Sequence, residues 1–333
     1  MVKVVQLGDP HGNLEAILET ANHNPDVVVL QGDYLKEHRH LFDDSALSTA
    51  YWQVNKADSV ESAIKAFYGS IDASYKTLDE ALGQLRSRGI DVVGVSGNHD
   101  IVSSARSQLT NMVHLDSMGS YSSNGITFQG TMNTYESAQE DRTHKIMSVL
   151  KQDSSYLANV TESQIKQSFG GYEQQLLLSL KSKTTGESDK TFKDFIQAYN
   201  AVDTGVNWKG MDKFKIIANY GWDWFIEHKD EVNEYFASER SRLSGNADIL
   251  VTHKSKDGFF GSNDIVKQSQ ATYQFGGHDH GGHIDGQRIS GERVMYDGKQ
   301  AQKVSGTCFT PGESKMIVHE YNGGIENSYF IGQ

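Results

Sequence analysis

Short apolar runs of β-branched residues constrain the fold of this chain more than any other feature. Residues 26–31 (DVVVLQ) and 90–95 (IDVVGV) are almost wholly apolar, as expected of strands that are covered on both faces. An earlier run at residues 2–7 (VKVVQL) has the same β-branched character. Helical patterns separate these runs. The alternation predicts an α/β fold whose first strands are parallel and whose ligand-binding loops follow the C-terminal ends of those strands.

The helical patterns between these strands have clear ends. Residues 14–21 carry apolar side chains at helical spacing, and Asn13 is placed to cap the start of the helix. A longer apolar stripe begins near Val60 and ends at Gly89, a residue type that commonly terminates helices. We therefore expect a short helix after the first strand and a long one before the third.

The chain changes character near residue 131. Residues 131–246 are rich in Ser, Gln, Lys and Glu and contain recurrent helical patterns, whereas strand character returns at residues 247–253. We therefore expect a core of residues 1–130 and 247–333 that is split by a helical insertion. The insertion is too long for a connecting loop, and we expect it to be either a plain helical insertion or a cap over the strand-end loops. Three roles are compatible with the sequence: substrate selection, dimerisation and shielding of the site.

An aromatic cluster in the insertion has two interpretations. It consists of Tyr220, Trp222, Trp224 and Phe225. Exposed rings of this kind could form a platform on which bases stack. Their helical spacing favours packing in the core of the insertion, and we expect this second arrangement.

The charge balance limits the classes of partner. The chain has 43 acidic and 31 basic residues and a formal net charge of −12. Its Lys and Arg residues are scattered rather than gathered into a stripe, so a nucleic-acid groove is not favoured. A phosphate substrate stays compatible with this charge, because bound divalent cations reverse the local field. No secretory signal and no apolar run of about 20 residues is visible, so we expect a cytoplasmic protein without a membrane partner.

Each of the first three predicted strands ends in a glycine turn with potential metal ligands. These turns are GDPH at 8–11, GDY at 32–34 and GNHD at 97–100, and two later strands end in VTH at 251–253 and FGGHDH at 275–280. Glycine lets the backbone turn sharply after a strand. Since the carboxyl ends of parallel strands meet at one edge of a sheet, the side chains that follow them are expected to share one crevice.

The ligand types in these turns indicate a site for two metal ions. The candidate ligands are Asp9, His11, Asp33, Asn98, His253, His278 and His280. They include no thiolate, which suits manganese, iron or zinc in an open site, with manganese favoured, better than a structural zinc cage. Alternate residues of an extended segment face the same side, so Asp9 with His11, and His278 with His280, are expected to point into the crevice together. Two ions bridged by one carboxylate would clamp a phosphate and activate water near neutral pH.

The five elements in this order, DxH, GD, GNHD, a single H and GHxH, resemble the calcineurin-like metallophosphoesterase family. The resemblance covers the predicted core and implies an α/β fold, a two-sheet metallophosphoesterase sandwich flanked by helices, here with a helical insertion. It implies that one divalent ion is bound by Asp9, His11 and His280, that the other is bound by Asn98, His253 and His278, and that Asp33 bridges them. It further implies that His99 faces the phosphate and that Asp100 orients His99.

The resemblance implies hydrolysis of a phosphate ester by in-line attack of a metal-bridging hydroxide, with His99 assisting. The arginine of the GDxVDRG motif in related protein Ser/Thr phosphatases is missing from GDYLKEHRH at residues 32–40. Together with the acidic charge, this favours a small phosphodiester or nucleotide substrate. A nuclease or protein phosphatase of the same superfamily is the first alternative, and a non-catalytic scaffold with a phosphoesterase fold is the second. The sequence does not indicate an oligomeric state.

Overall fold

The computed structural model describes residues 1–35, 54–97, 100, 102–131, 139–202, 213–243, 245–254, 269–278 and 281–331. Its strands are β1 (Val2–Leu7), β2 (Val27–Leu30), β3 (Asp91–Gly94), β4 (Val113–His114), β5 (Tyr121–Ser123), β6 (Ile126–Thr131), β7 (Ile249–Lys254), β8 (Tyr273–Gly277), β9 (His283–Ile284), β10 (Gln287–Arg288), β11 (Glu292–Tyr296), β12 (Lys299–Val304), β13 (Cys308–Thr310), β14 (Met316–Tyr321) and β15 (Ile325–Ile331). Its α-helices are α1 (Leu14–Glu19), α2 (Val60–Ser87), α3 (Val102–Gln108), α4 (Gln139–Gln152), α5 (Glu162–Ser168), α6 (Gly171–Lys181), α7 (Phe192–Ala201), α8 (Lys213–Tyr220), α9 (Trp222–Glu227) and α10 (Lys229–Arg242).

The described strands form two mixed sheets. The first sheet has the order β11-β12-β15-β14-β1-β2-β3-β4, and the second has the order β10-β9-β13-β8-β7-β6-β5. Strands β1 to β4 are parallel neighbours in the first sheet, which confirms the predicted arrangement of the first strands. Strands β6, β7 and β8 are parallel neighbours in the second sheet. Each sheet therefore offers a row of parallel strands whose carboxyl ends can carry ligands.

The two sheets pack face to face and are covered by helices on their outer faces. Between the sheets, valines of β1 to β3 pack against apolar residues of β6 to β8, including Phe128, Val251 and Phe275. The opposite face of the first sheet shares one apolar core with α1, α2 and α4 to α7, and Leu250 of the second sheet shares another with α8 to α10. The predicted α/β sandwich flanked by helices is confirmed.

The two helices predicted before β2 and β3 have the expected ends. The Asn13 side chain accepts a hydrogen bond from the Ala16 backbone N at 3.0 Å and caps α1. Helix α2 begins after a capping box between Ser59 and Ser62, and the chain leaves it through Gly89, whose φ is 78°. Glycine adopts this left-handed conformation without steric cost.

The helices between β6 and β7 fall into two groups. Helices α4 to α7 share one apolar core with α2, whereas α8 to α10 form a separate cluster around Phe225, Val232 and Phe236. No helix of the described residues is long and apolar enough to cross a membrane. The division into a core (1–130 and 247–333) and an insertion (131–246) stays a prediction.

The aromatic cluster of the second group is only partly in the core. Phe225 and Trp224 pack in the cluster around Val232, as predicted. Trp222 and Tyr220 are 59% and 37% exposed, so the prediction that they pack in the core is wrong. The two residues flank Gly221, whose φ of 89° separates α8 from α9, so they lie at helix ends and not on one continuous apolar stripe.

Candidate metal centre

The carboxyl ends of β1, β2, β7 and β8 bring five candidate ligands together. They are Asp9, His11, Asp33, His253 and His278, and a continuous series of contacts no longer than 3.9 Å links their side chains. The first three follow strands of the first sheet, and the last two, His253 and His278, belong to the second sheet. The predicted crevice therefore lies where the ends of both sheets meet. Asn98, His99 and His280 lie outside the described residues, so their roles stay predictions.

Asp33 occupies the centre of this group. Its Oδ2 atom lies 3.9 Å from His11 Nε2 and 3.4 Å from His253 Nε2. One ligand atom from each of Asp33, His253 and His278 can be chosen so that all three lie within 4.8 Å of one another. A single carboxylate thus faces imidazoles from both sheets.

Backbone carbonyls orient two of the imidazoles. His253 Nδ1 lies 2.7 Å from the Gln31 carbonyl oxygen, and His11 Nδ1 lies 3.3 Å from the Leu35 carbonyl oxygen. A proton on each Nδ1 makes these hydrogen bonds and leaves Nε2 unprotonated, as a metal ligand must be. His253 Nε2 is also 3.1 Å from His278 Nδ1, and two imidazole nitrogens at this distance share either a proton or a metal ion. The contribution of Gln31 and Leu35 is not predictable from their residue types, because it comes from their main chains.

Four of the five candidate ligands lie in left-handed backbone. The φ angles are 24° for Asp9, 42° for His11, 52° for Asp33 and 64° for His278. The expectation that Asp9 and His11 share a side because they alternate in an extended segment is therefore wrong in its cause. Their side chains reach the site because the chain turns after β1. Such conformations are uncommon outside glycine and concentrate at functional sites, where the surrounding structure must hold them.

Two glycines make room for the carboxylates. A Cβ atom added at Gly97 would collide with the Asp33 carboxylate, and one added at Gly277 would collide with the Asp9 carboxylate. Gly32 has a φ of 93° and its own added Cβ would overlap the backbone of Gly97. The glycines of the GD, GNH and GGH motifs therefore provide space as well as flexibility.

The donor set fits divalent transition metals. The side chains of Asp9 and Asp33 are 0% and 1% exposed, and carboxylates are buried to this extent only when they are paired or coordinate a metal. Their neighbours in the structure include the imidazoles of His11 and His253, which are themselves common metal ligands. Oxygen and nitrogen donors without a thiolate suit manganese, iron or zinc.

Asp100, expected from the sequence to orient His99, has well-defined contacts with the neighbouring turns. Its Oδ1 accepts hydrogen bonds from the Tyr34 backbone N at 2.8 Å and the Tyr75 hydroxyl at 3.3 Å. Its Oδ2 accepts one from the Gly97 backbone N at 2.8 Å. Burial raises the pKa of the Tyr34 hydroxyl well above its usual value, and the charges of Asp100 and nearby carboxylates raise it to a smaller extent. The hydroxyl therefore keeps its proton and stays a hydrogen-bond donor.

A comparison with protein families identifies the chain. A model of the calcineurin-like phosphoesterase family matches residues 2–282. The chain belongs to this family. The resemblance inferred from the five motifs is thus confirmed, and membership supports metal-dependent hydrolysis of phosphate esters. No curated protein matches this calcineurin-like phosphoesterase.

Proposed function

We propose that this calcineurin-like phosphoesterase uses two divalent metal ions, with manganese favoured, to hydrolyse a small phosphodiester or a nucleotide. The observation that supports this most is the position of Asp33. Its Oδ2 lies within 3.9 Å of His11 Nε2 and 3.4 Å of His253 Nε2, which belong to the two different ligand sets that the motifs imply. A carboxylate in this position suits a bridge between two ions.

The remaining ligands divide into the two sets expected from the family motifs. One set is Asp9, His11 and His280, and the other is Asn98, His253 and His278. Two divalent cations held in this way would neutralise the charge of a phosphate and supply hydroxide at neutral pH. The carbonyls of Gln31 and Leu35 keep the imidazoles of His253 and His11 in the orientation that binding requires.

His99 is proposed to face the phosphate and to stabilise the transition state or protonate the leaving oxygen. It directly follows Asn98 in the sequence, so a metal ligand and the group that faces the phosphate would occupy adjacent positions. A positioned acid or base of this kind typically contributes about two to four orders of magnitude in rate. The net charge of −12 and the absence of the DRG sequence support a small substrate over a nucleic acid or a phosphoprotein.

The experiment that tests the proposal is hydrolysis of bis-p-nitrophenyl phosphate and p-nitrophenyl phosphate with added Mn²⁺, followed by a panel of nucleotides. We expect metal-dependent activity, stronger on the diester. Absence of hydrolysis with Mn²⁺, Fe²⁺, Zn²⁺, Co²⁺ and Ni²⁺ alike would contradict the proposed function.

The same assay tests the role of His99. His99→Ala should lower turnover by about two to four orders of magnitude while the metal content stays near that of the wild type. His228→Ala is a matched control, because His228 lies in the α9–α10 connection and contacts Trp224. Full activity in the His99 variant would refute the assigned role.

A further inference from the structure

Hydrogen bonds that do not involve the ligand side chains connect the turns that carry the proposed ligands. We call the segments 8–13, 32–34 and 97–100 the first, second and third turns; Gly97 and Asp100 are the described residues of the third. His11 N donates to Asp33 O and Gly12 N donates to Tyr34 O, both at 2.9 Å. The first and second turns are therefore joined through their main chains.

The second and third turns are joined by one side chain, that of Asp100. Its two carboxylate oxygens accept hydrogen bonds from Tyr34 N and Gly97 N, each at 2.8 Å. Tyr34 directly follows Asp33, and Gly97 directly precedes Asn98. Asp100 is 1% exposed, and hydrogen bonds to an ionised, buried carboxylate are stronger than neutral ones. The carboxylate thus links the backbone that directly follows Asp33 to the backbone that directly precedes Asn98 in the sequence.

Tyr75 connects this carboxylate to the apolar core. It lies in the middle of α2, is fully buried beside Ile71 and Leu78 on the stripe that packs against the first sheet, and donates from its hydroxyl to Asp100 Oδ1 at 3.3 Å. The ring cannot move without disturbing that packing. Its hydroxyl therefore favours the one orientation of Asp100 that reaches both turns.

We propose that Tyr75 and Asp100 are positioning residues for the metal centre, which hold the second and third turns at the spacing that metal binding requires. The inference rests on the proposed function only in that the site binds divalent ions. Left-handed residues such as Asp33 need support from outside the turn, and partners of this kind typically change metal affinity by about 10–100-fold. Neither residue needs to touch the substrate.

Titration of the metal-free protein with Mn²⁺ in a calorimeter tests the proposal. Tyr75→Phe should raise the dissociation constant about 10-fold and Asp100→Asn about 100-fold, because the amide group of Asn cannot accept from both turns. Tyr68→Phe is the matched control. Tyr68 lies on the same helix and its hydroxyl bonds Ser148 at 2.8 Å, away from the turns, so the variant should bind Mn²⁺ like the wild type.

Urea denaturation of both tyrosine variants separates positioning from general stability. Similar losses of stability with weaker Mn²⁺ binding in Tyr75→Phe alone support the proposal. Binding within about twofold of the wild type in Tyr75→Phe, or equal weakening in Tyr68→Phe, would overturn it. Tyr75→Phe keeps the buried ring and decides the question even if Asp100→Asn does not fold. A wild type that binds Mn²⁺ but hydrolyses no ester would refute the proposed function, and the calorimetric comparison would still decide the positioning roles.

Discussion

The candidate ligands reach the proposed metal centre in two ways, some from turns that follow strands and one from within a strand. Asp9, His11 and Asp33 of the first sheet and His278 of the second lie in left-handed backbone just outside their strands, whereas His253 lies within β7 and needs no left-handed residue. At His253 the pairing of β7 with β8 shifts register between Thr252 and Lys254. A β-bulge of this kind re-aims a side chain while the ladder on either side continues.

The difference indicates which part of the site is most sensitive to substitution of residues that are not ligands. The position of His253 is secured by strands on both sides of β7, so the ladder maintains the backbone even when the side chain is changed. The ligands of the first sheet depend on contacts between turns, on glycines opposite them and on Asp100. We therefore expect substitutions of non-ligand residues to damage the turn half of the site, formed by the candidate ligands in left-handed backbone, and to spare the strand half, formed by His253.

The largest expected effect comes from a ligand of each half. Asp33→Asn should remove both metals and lower activity by more than about 100-fold, the upper figure for residues that only support a ligand. His253→Gln should remove one metal and leave the other set in place. Metal content measured by mass spectrometry after dialysis checks this. Equal metal content in the two variants would contradict the bridging position of Asp33.

A smaller effect is expected from the packing between the sheets. His319 stacks on Phe275 at 4.5 Å and contacts Ser328 and Gln6 at 2.8 and 3.2 Å. Burial lowers its pKa to about 3. The unfolded chain, with a pKa near 6.5, binds the proton more readily, so this contribution to stability is complete above about pH 6.5 and is lost as the pH falls toward about 3.

The measurement is the free energy of unfolding of the metal-free protein as a function of pH. Between pH 7 and pH 5 the wild type should lose on the order of 2 kcal/mol more than His319→Gln. Parallel curves for the two proteins would show that His319 does not carry this acid sensitivity. The turn half of the site is not expected to contribute to the difference.

The smallest effect tests the space that glycine leaves in the turns. Gly97→Ala should push the Asp33 carboxylate aside and weaken Mn²⁺ binding by about 10-fold, in keeping with the usual cost of overpacking. Gly69→Ala is the matched control, since an added Cβ there meets nothing within 4 Å, and it should stabilise α2 by about 0.5–1 kcal/mol. Unchanged Mn²⁺ binding in Gly97→Ala would remove the steric argument for that glycine.

The sequence predicts many of the strands and helix ends, and the strand position of His253. The buried apolar runs predicted β2 and β3, and Asn13 and Gly89 predicted helix ends. The apolar run that ends in VTH predicted the strand that carries His253. These features are local, because the apolar pattern of a strand and the capping of a helix involve residues close together in the chain. The positioning contact of Tyr75 was not predictable, since its place on an apolar stripe indicates burial but not what its hydroxyl meets.

The sequence by itself determined the family, the order of the ligand-bearing turns and the chemical types of the ligands, because these depend on residue identity and spacing. Only the tertiary structure decided how the ligands meet. It placed Asp33 between His11 and His253, put the turn residues into left-handed backbone and gave Asp100 its contacts with Tyr34 and Gly97. The physical reason is that these positions result from the packing of two sheets and α2 against one another, which joins residues far apart in the chain.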